Sequence, residues 1–127
     1  MSKSNERGAV AVEFALLAPI LIMILLGVME FGRAYNAQIT LSNAAREGAR
    51  VMAIEKDQSK AVTAVTHAAA NLNPMTIEFT SFPNTTTPTN CPAKSQVTVI
   101  VKYSLNTMTG IAGPFAMQGK GTMLCGG

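Results

Sequence analysis

The chain has 127 residues, 48% of them hydrophobic and only 13% charged, an imbalance that points to a membrane segment rather than to an ordinary soluble domain. Ten Lys and Arg give a formal charge of +3 but are spread along the chain, with no basic run interleaved with aromatics, which argues against a nucleic-acid partner. Two cysteines, Cys91 and Cys125, and one histidine, His67, match no zinc spacing, so neither a metal site nor a cofactor is expected.

The first element is apolar. No charge occurs from Phe14 to Met29. With Ala9 to Val12 added, the run reaches the ~20 residues that a helix needs to cross a ~30 Å hydrocarbon core. Lys3 and Arg7 precede it, as in a signal peptide. The run exceeds the usual apolar stretch of about 7–15 residues, however, and Gly27-Val28-Met29-Glu30 is no small-residue cleavage site. A retained membrane helix over residues 9–31 is the expectation. Basic residues lie on both sides of it, so their count does not fix the orientation, but a short basic N-terminus before a first span favours the cytoplasmic side. Pro19 leaves the Ala15 carbonyl without its helical donor and predicts a kink or thin spot. That reads either as the tolerance membrane helices show for proline or as a helix able to bend between environments. Glu13 is the anomaly, because a carboxylate at the centre of a membrane helix costs on the order of 2.5 kcal/mol or more.

The helix is predicted to continue to Ile54. Ala37, Leu41, Ala44, Gly48 and Val51 recur at three- and four-residue spacing, and Asn36, Thr40, Asn43, Glu47 and Arg50 fall on the other side. The buried stripe is rich in small residues (Ala37, Ala44, Ala45, Gly48, Ala49), which permit close approach either by this chain's own domain or by another subunit. As one rod, Ala9 to Ile54 would be roughly 70 Å long, well beyond a bilayer, so its second half must carry a folded domain.

Glu55-Lys56-Asp57-Gln58 is a polar break, and Asp57 or Ser59 can cap a second, short helix with Val62, Val65, Ala69 and Leu72 on one face. Asn73-Pro74 is expected to end it. His67 on this helix reads as a surface residue. The period then changes to two: Met75, Ile77 and Phe79 form one strand, and Val97, Val99, Val101 and Tyr103 a second. Residues 83–92 between them form a loop by composition, with a formal glycosylation sequon at Asn84-Thr85-Thr86. A weaker third strand runs from about Phe115 to Cys125, weakened by Gly119 and Gly121. Outside the cytoplasm a Cys91–Cys125 disulfide is the natural reading, two buried thiols being the alternative. The bridge would close a loop of about 35 residues and stabilise by about 3–4 kcal/mol.

No phosphate loop and no nucleophile constellation appears, and Glu47, Glu55, Asp57 and Glu78 read as solvated surface. The expected role is mechanical or in assembly, not enzymatic.

A short basic leader ends in Gly8, an apolar helix follows with Glu13 near its start, and an amphipathic continuation carries a small strand-rich domain. That is the layout of type IV pilin-like proteins. The stretches "GAVAVEFAL", "EFGRA" and "NAAREGAR" narrow the match. From Arg7 to about Ala53 the chain closely resembles the TadE-like pseudopilins of bacterial tight-adherence (Flp-type) pilus systems. Beyond that the likeness is looser, carried by Cys91-Pro92 and "VTVIVKYSL". Ordinary Flp pilins are shorter, lack such a domain and often have tyrosine after the glutamate; Phe14 keeps the ring.

The resemblance implies an α+β, type IV pilin-like fold: a long N-terminal helix, a short second helix and an antiparallel sheet of about three strands. It also implies that a prepilin peptidase removes residues 1–8 by cutting between Gly8 and Ala9. Residues 9–31 would then span the bacterial inner membrane, with 32–127 in the periplasm or its equivalent. Glu13 and Phe14 become the fifth and sixth mature residues. Glu13 pairs with the new cationic amine, within a subunit or between subunits to set axial register, and an opposite charge lowers the cost of its burial. The alternative is that Glu13 sits at the membrane interface, where the penalty is smaller. Implied partners are the prepilin peptidase, other pilins or pseudopilins, the inner-membrane assembly platform and membrane lipid. The chain would be a minor pilin acting in pilus assembly, adhesion or secretion. The main rival is an uncleaved single-pass scaffold or adaptor of a secretion complex. A third reading, a domain released by signal peptidase near Gly32, would cut through the helical register that continues past Arg33.

Overall fold

The computed structural model describes residues 2–83 and 91–126. The Asn84-Thr85-Thr86 sequon and the middle of its loop lie outside the described residues. The architecture is the expected α+β one. Helix α1 (Ser2–Glu55) is followed by α2 (Gln58–Ala68) and by strands β1 (Met75–Phe82), β2 (Gln96–Leu105) and β3 (Phe115–Leu124). The chain divides into two compact units, one ending at Arg33 and one beginning at Ala34.

In the first unit α1 is continuous through Pro19, Gly27 and Gly32. None of residues 5–33 is buried, and Phe14, Met23 and Phe31 are each more than 70% exposed. The helix is long and apolar enough to cross a membrane. An apolar surface exposed on all sides has no place in water, whereas lipid or neighbouring helices can cover it.

In the second unit α1 buries Ala37, Leu41, Ala44, Ala45, Gly48, Ala49, Met52 and Ala53. The small-residue stripe therefore lies in this chain's own core. After Gly48 the buried row continues at a spacing of four to Met52, so Val51, expected on the stripe, is only half-buried. Lys56 ends α1 in the left-handed region (φ 56°), and its N–H donates to the Met52 carbonyl at 3.0 Å, closing a helix terminus more often built with glycine.

Asp57, extended at φ −131° and ψ 114°, is the N-cap of α2. Its Oδ1 accepts from the Ser59 N–H at 2.9 Å and from the Ser59 hydroxyl at 2.6 Å. Those hydrogen bonds, the hydroxyl's first, hold the Asp57 carboxyl below its ordinary value of 3.8. A depressed folded-state value means that the ionised cap stabilises above pH 3.8 and that this contribution is lost as pH falls through the lower folded value. Asp57→Ala is expected to lower Tm slightly at neutral pH, and the gap to the native protein should narrow in thermal melts taken below pH 3.8.

The buried face of α2 is Ala61 and Val65, with Val62, expected there, only half-buried. The helix also ends earlier than Asn73-Pro74. Ala69 leaves helical geometry at φ −122° and ψ 38°, and the chain tightens through Leu72 N–H to Ala69 O at 2.9 Å. Asn73 Nδ2 then takes the Ala70 carbonyl at 2.9 Å. These local bonds satisfy groups that a further helical turn would have used, and Leu72 still reaches the core.

The strands form an antiparallel meander in the order β1-β2-β3. Phe79, Val99 and Gly121 share one cross-strand row, and Ile77, Val101 and Gly119 the next. This face meets the helices. Val97, Val99 and Val101 are fully buried, each contributing about 1.5–3 kcal/mol. The opposite face is polar, with the Thr98 and Thr122 hydroxyls 3.1 Å apart and Lys102 Nζ 2.7 Å from Glu78 Oε1.

β3 lies directly on α1. A Cβ at Gly119 would overlap the Leu41 carbonyl, and one at Gly121 the Ala45 carbonyl. Gln38 Nε2 donates to the Gln118 carbonyl at 2.8 Å. Gln38, Leu41 and Ala45 thus follow Gln118, Gly119 and Gly121 in order, so β3 and α1 run in the same direction within this unit.

Candidate functional site

Gly8, Ala9, Glu13 and Phe14 all lie within α1 and are all exposed. Glycine at position 8 has no reason inside the fold. It sits in a helix, where glycine is unfavourable, and a Cβ there would meet nothing within 4 Å. A residue the fold does not need, at the border between the Lys3/Arg7 segment and the apolar run, is open to recognition from outside.

Glu13 is the only charged residue between Arg7 and Glu30. It lies four residues after Ala9, which puts both on one face of the helix, one turn apart. The Cα–Cβ bond of a helical residue tilts toward the N-terminus, which leaves the turn at Ala9 within the general reach of the Glu13 side chain. Glu30–Arg33, Glu47–Arg50, Glu55–Lys60 and Glu78–Lys102 are ion pairs among the described residues, and Glu13 is in none of these. Between Arg7 and Glu30 the helix is an apolar rod with a single carboxylate near its start. It has the means to insert into lipid, to pack against other apolar helices and to hold one cation.

Cys91 and Cys125 are bonded to each other, with Cα atoms 5.4 Å apart across 34 positions of sequence, and both are buried. Cys125 N–H donates to the Ser95 carbonyl at 2.8 Å, and the Ser95 hydroxyl donates to Pro92 O. The bridge therefore fastens the end of β3 to the turn that leads into β2. Reduction, or Cys91→Ser with Cys125→Ser, is expected to cost about 2–4 kcal/mol by freeing a long unfolded loop. A drop in Tm on adding reductant to the native protein, absent in the double variant, is the measurement.

Glu47, Glu55 and Glu78 each lie in an exposed ion pair. Arg50 donates to both Glu47 oxygens, at 2.9 and 3.1 Å, and holds that carboxyl below its ordinary range. Exposed pairs of this kind contribute little. His67 is exposed on α2. Among the described residues, no group of three or more His, Cys, Asp or Glu is placed to hold a metal ion.

Two features escaped the sequence reading. Gly119 and Gly121 pass for strand-weakening residues until α1 is seen to lie on them. The connection between β2 and β3 carries exposed Met108 and Ile111, which composition alone does not separate from an ordinary loop.

Residues 8–50 match the family model described as TadE-like protein. No curated protein and no solved structure matches the chain.

Proposed function

We propose that this chain, TadE-like over residues 8–50, is a minor pilin or pseudopilin of a tight-adherence (Flp-type) pilus system. It enters the bacterial inner membrane through the apolar half of α1, with its basic N-terminal segment on the cytoplasmic side. A prepilin peptidase cuts between Gly8 and Ala9. The helix stays in the bilayer and the unit beginning at Ala34 stands on the far side, where Cys91 and Cys125 can oxidise. The role is assembly of the pilus, with adhesion or secretion as its outcome. Its partners are other pilins or pseudopilins and the inner-membrane assembly platform.

The observation that carries this reading is the placement of Glu13. A lone carboxylate in an exposed apolar helix is costly in lipid. It gains a partner if the chain is opened at Ala9, because the cut creates a cationic amine one turn away on the same helix face. The exposed apolar surface from Val10 to Phe31 serves first as a membrane anchor and then as a contact for other helices.

The test is the intact mass and N-terminal sequence of the protein taken from its native membrane, with and without reductant. A chain that starts at Ala9 supports the pilin pathway. An N-terminus still at Met1 or Ser2 favours the uncleaved scaffold. A start near Arg33 means that an ordinary signal sequence has been removed.

A further inference from the structure

Within the unit that begins at Ala34, the contacts Gln118–Gln38, Gly119–Leu41 and Gly121–Ala45 fix the direction of β3 along α1. Two strand residues cover about the same distance as four helix residues. Carried back from Gly119 in that register, Phe115 falls at the Ala34 end of the unit. The β2–β3 connection therefore lies at the end where the chain joins the apolar run, and the Cys91–Cys125 bridge lies at the other end.

The composition of this connection suits that place. Residues 106–115, Asn-Thr-Met-Thr-Gly-Ile-Ala-Gly-Pro-Phe, include no charged side chain. Ile111 is 88% exposed and Met108 62%, and Phe115 at its base is exposed as well. The backbone is partly satisfied from within. The Thr107 hydroxyl donates to the Ala112 carbonyl and accepts the Gly110 N–H at 3.1 Å, and the Thr109 hydroxyl accepts the Ile111 N–H. Gly110 and Gly113, both at positive φ, make the turn possible. A loop that satisfies its own polar groups can enter a medium poor in water at lower cost than one that relies on solvent.

We infer that the β2–β3 hairpin tip is a second membrane contact, which places Met108 and Ile111 in the interfacial layer of the bilayer crossed by α1. The inference rests on the membrane-spanning reading of α1. The occupant is lipid rather than protein because the tip is uncharged throughout and sits at the end from which a membrane-spanning segment leaves. Interfacial contacts of this type draw their strength from buried apolar area and reach only the boundary of the acyl chains.

The chain contains no tryptophan, so a single introduced one reports its own surroundings. Ile111→Trp and, separately, Met108→Trp are made in the full chain, both at exposed positions that a larger side chain does not disturb. Leu21→Trp marks the apolar run, and Phe82→Trp marks the opposite end of the second unit. Each protein is reconstituted in phosphatidylcholine–phosphatidylglycerol vesicles, with and without brominated lipids, the bromines lying near the headgroup end of the acyl chains for the tip and Phe82 variants and deep in the chains for Leu21→Trp. The expected result is that the tip tryptophans emit at shorter wavelength in vesicles and lose emission to the brominated lipid, while Phe82→Trp does neither. If Leu21→Trp is quenched and both tip tryptophans behave like Phe82→Trp, the inference is overturned and the span stands. If the tip is shielded from aqueous acrylamide yet not quenched by lipid, a second copy of the chain covers it and the inference is again overturned. If Leu21→Trp itself is not quenched, the membrane-spanning reading fails and the inference falls with it.

Discussion

If the proposed role holds, Glu13→Ala is expected to leave the protein in the membrane at native levels and to impair pilus assembly. Insertion is not at risk, because the substitution takes away a side chain worth on the order of 2.5 kcal/mol against insertion at mid-membrane. Assembly is at risk because, on the proposed processing, an amine created at Ala9 would be left without its counter-charge in an apolar setting. Removing one partner of a buried ion pair costs about 3–5 kcal/mol, much more than losing an exposed pair. At ~1.4 kcal/mol per tenfold change, that is a loss of roughly a hundredfold or more in the stability of the helix contact concerned. Glu13→Gln keeps the length of the side chain and loses the charge, so it should resemble Glu13→Ala if charge is what matters. The measurements are membrane content by immunoblot, leader removal by intact mass, and pilus number by electron microscopy, in cells where the variant replaces the native chain. Normal piliation by both variants would show that Glu13 sits harmlessly at the membrane interface and that pairing has no part in assembly.

What the sequence made legible follows from where each signal resides. The apolar run and the stripe from Ala37 to Ala49 are periodic in the chain itself, so their helix could be read directly. The alternation at Met75–Phe79 and Val97–Tyr103 is equally local and shows which side of each strand faces the core, though not which residues pair across them. Gly8 and Glu13 stand out for a different reason: a Cβ at Gly8 would meet nothing within 4 Å, and Glu13 is the one charge in an apolar run, so the roles proposed for them rest on chemistry outside the fold.

Where local signals fall short, a neighbouring contact decides. Asn73-Pro74 marks the end of α2 by local rule, yet the helix stops at Ala68, because Asn73 and the Leu72 N–H close the chain onto Ala69 and Ala70. Periodicity points to Val51 and Val62 for the core, and both pack against it half-buried, while Met52 and Ala61 hold the fully buried positions. A spacing of three or four leaves such choices to the neighbouring element, and no window of sequence contains that element. The place of the β2–β3 tip at the Ala34 end has the same character, since it depends on the direction in which β3 crosses α1.

Gly119 and Gly121 give this distinction a number. Local propensity alone predicts that Gly119→Ala stabilises by roughly 0.5–1 kcal/mol, because glycine weakens strand interiors. The fold predicts the opposite sign. A Cβ at either position would overlap backbone carbonyls of α1, which cannot turn aside as a side chain can. Overpacking of this kind costs about 1–3 kcal/mol and sometimes more, enough to reverse the propensity gain. Gly48→Ala is the milder comparison, since its new Cβ would meet the end of the Val65 side chain and not backbone. The expected order of Tm is native, then Gly48→Ala, then Gly119→Ala and Gly121→Ala. The double variant Gly119→Val with Gly121→Val should lose the folded unit, because two adjacent rows of β3 would be driven off the helix and a domain of this size has only several kcal/mol to lose. Circular dichroism melts of the native and variant chains in detergent decide the matter. A Gly119→Ala protein that melts above the native one would mean that β3 does not rest on α1 as described, and that the two glycines were only what they first appeared to be, weak residues in a marginal strand.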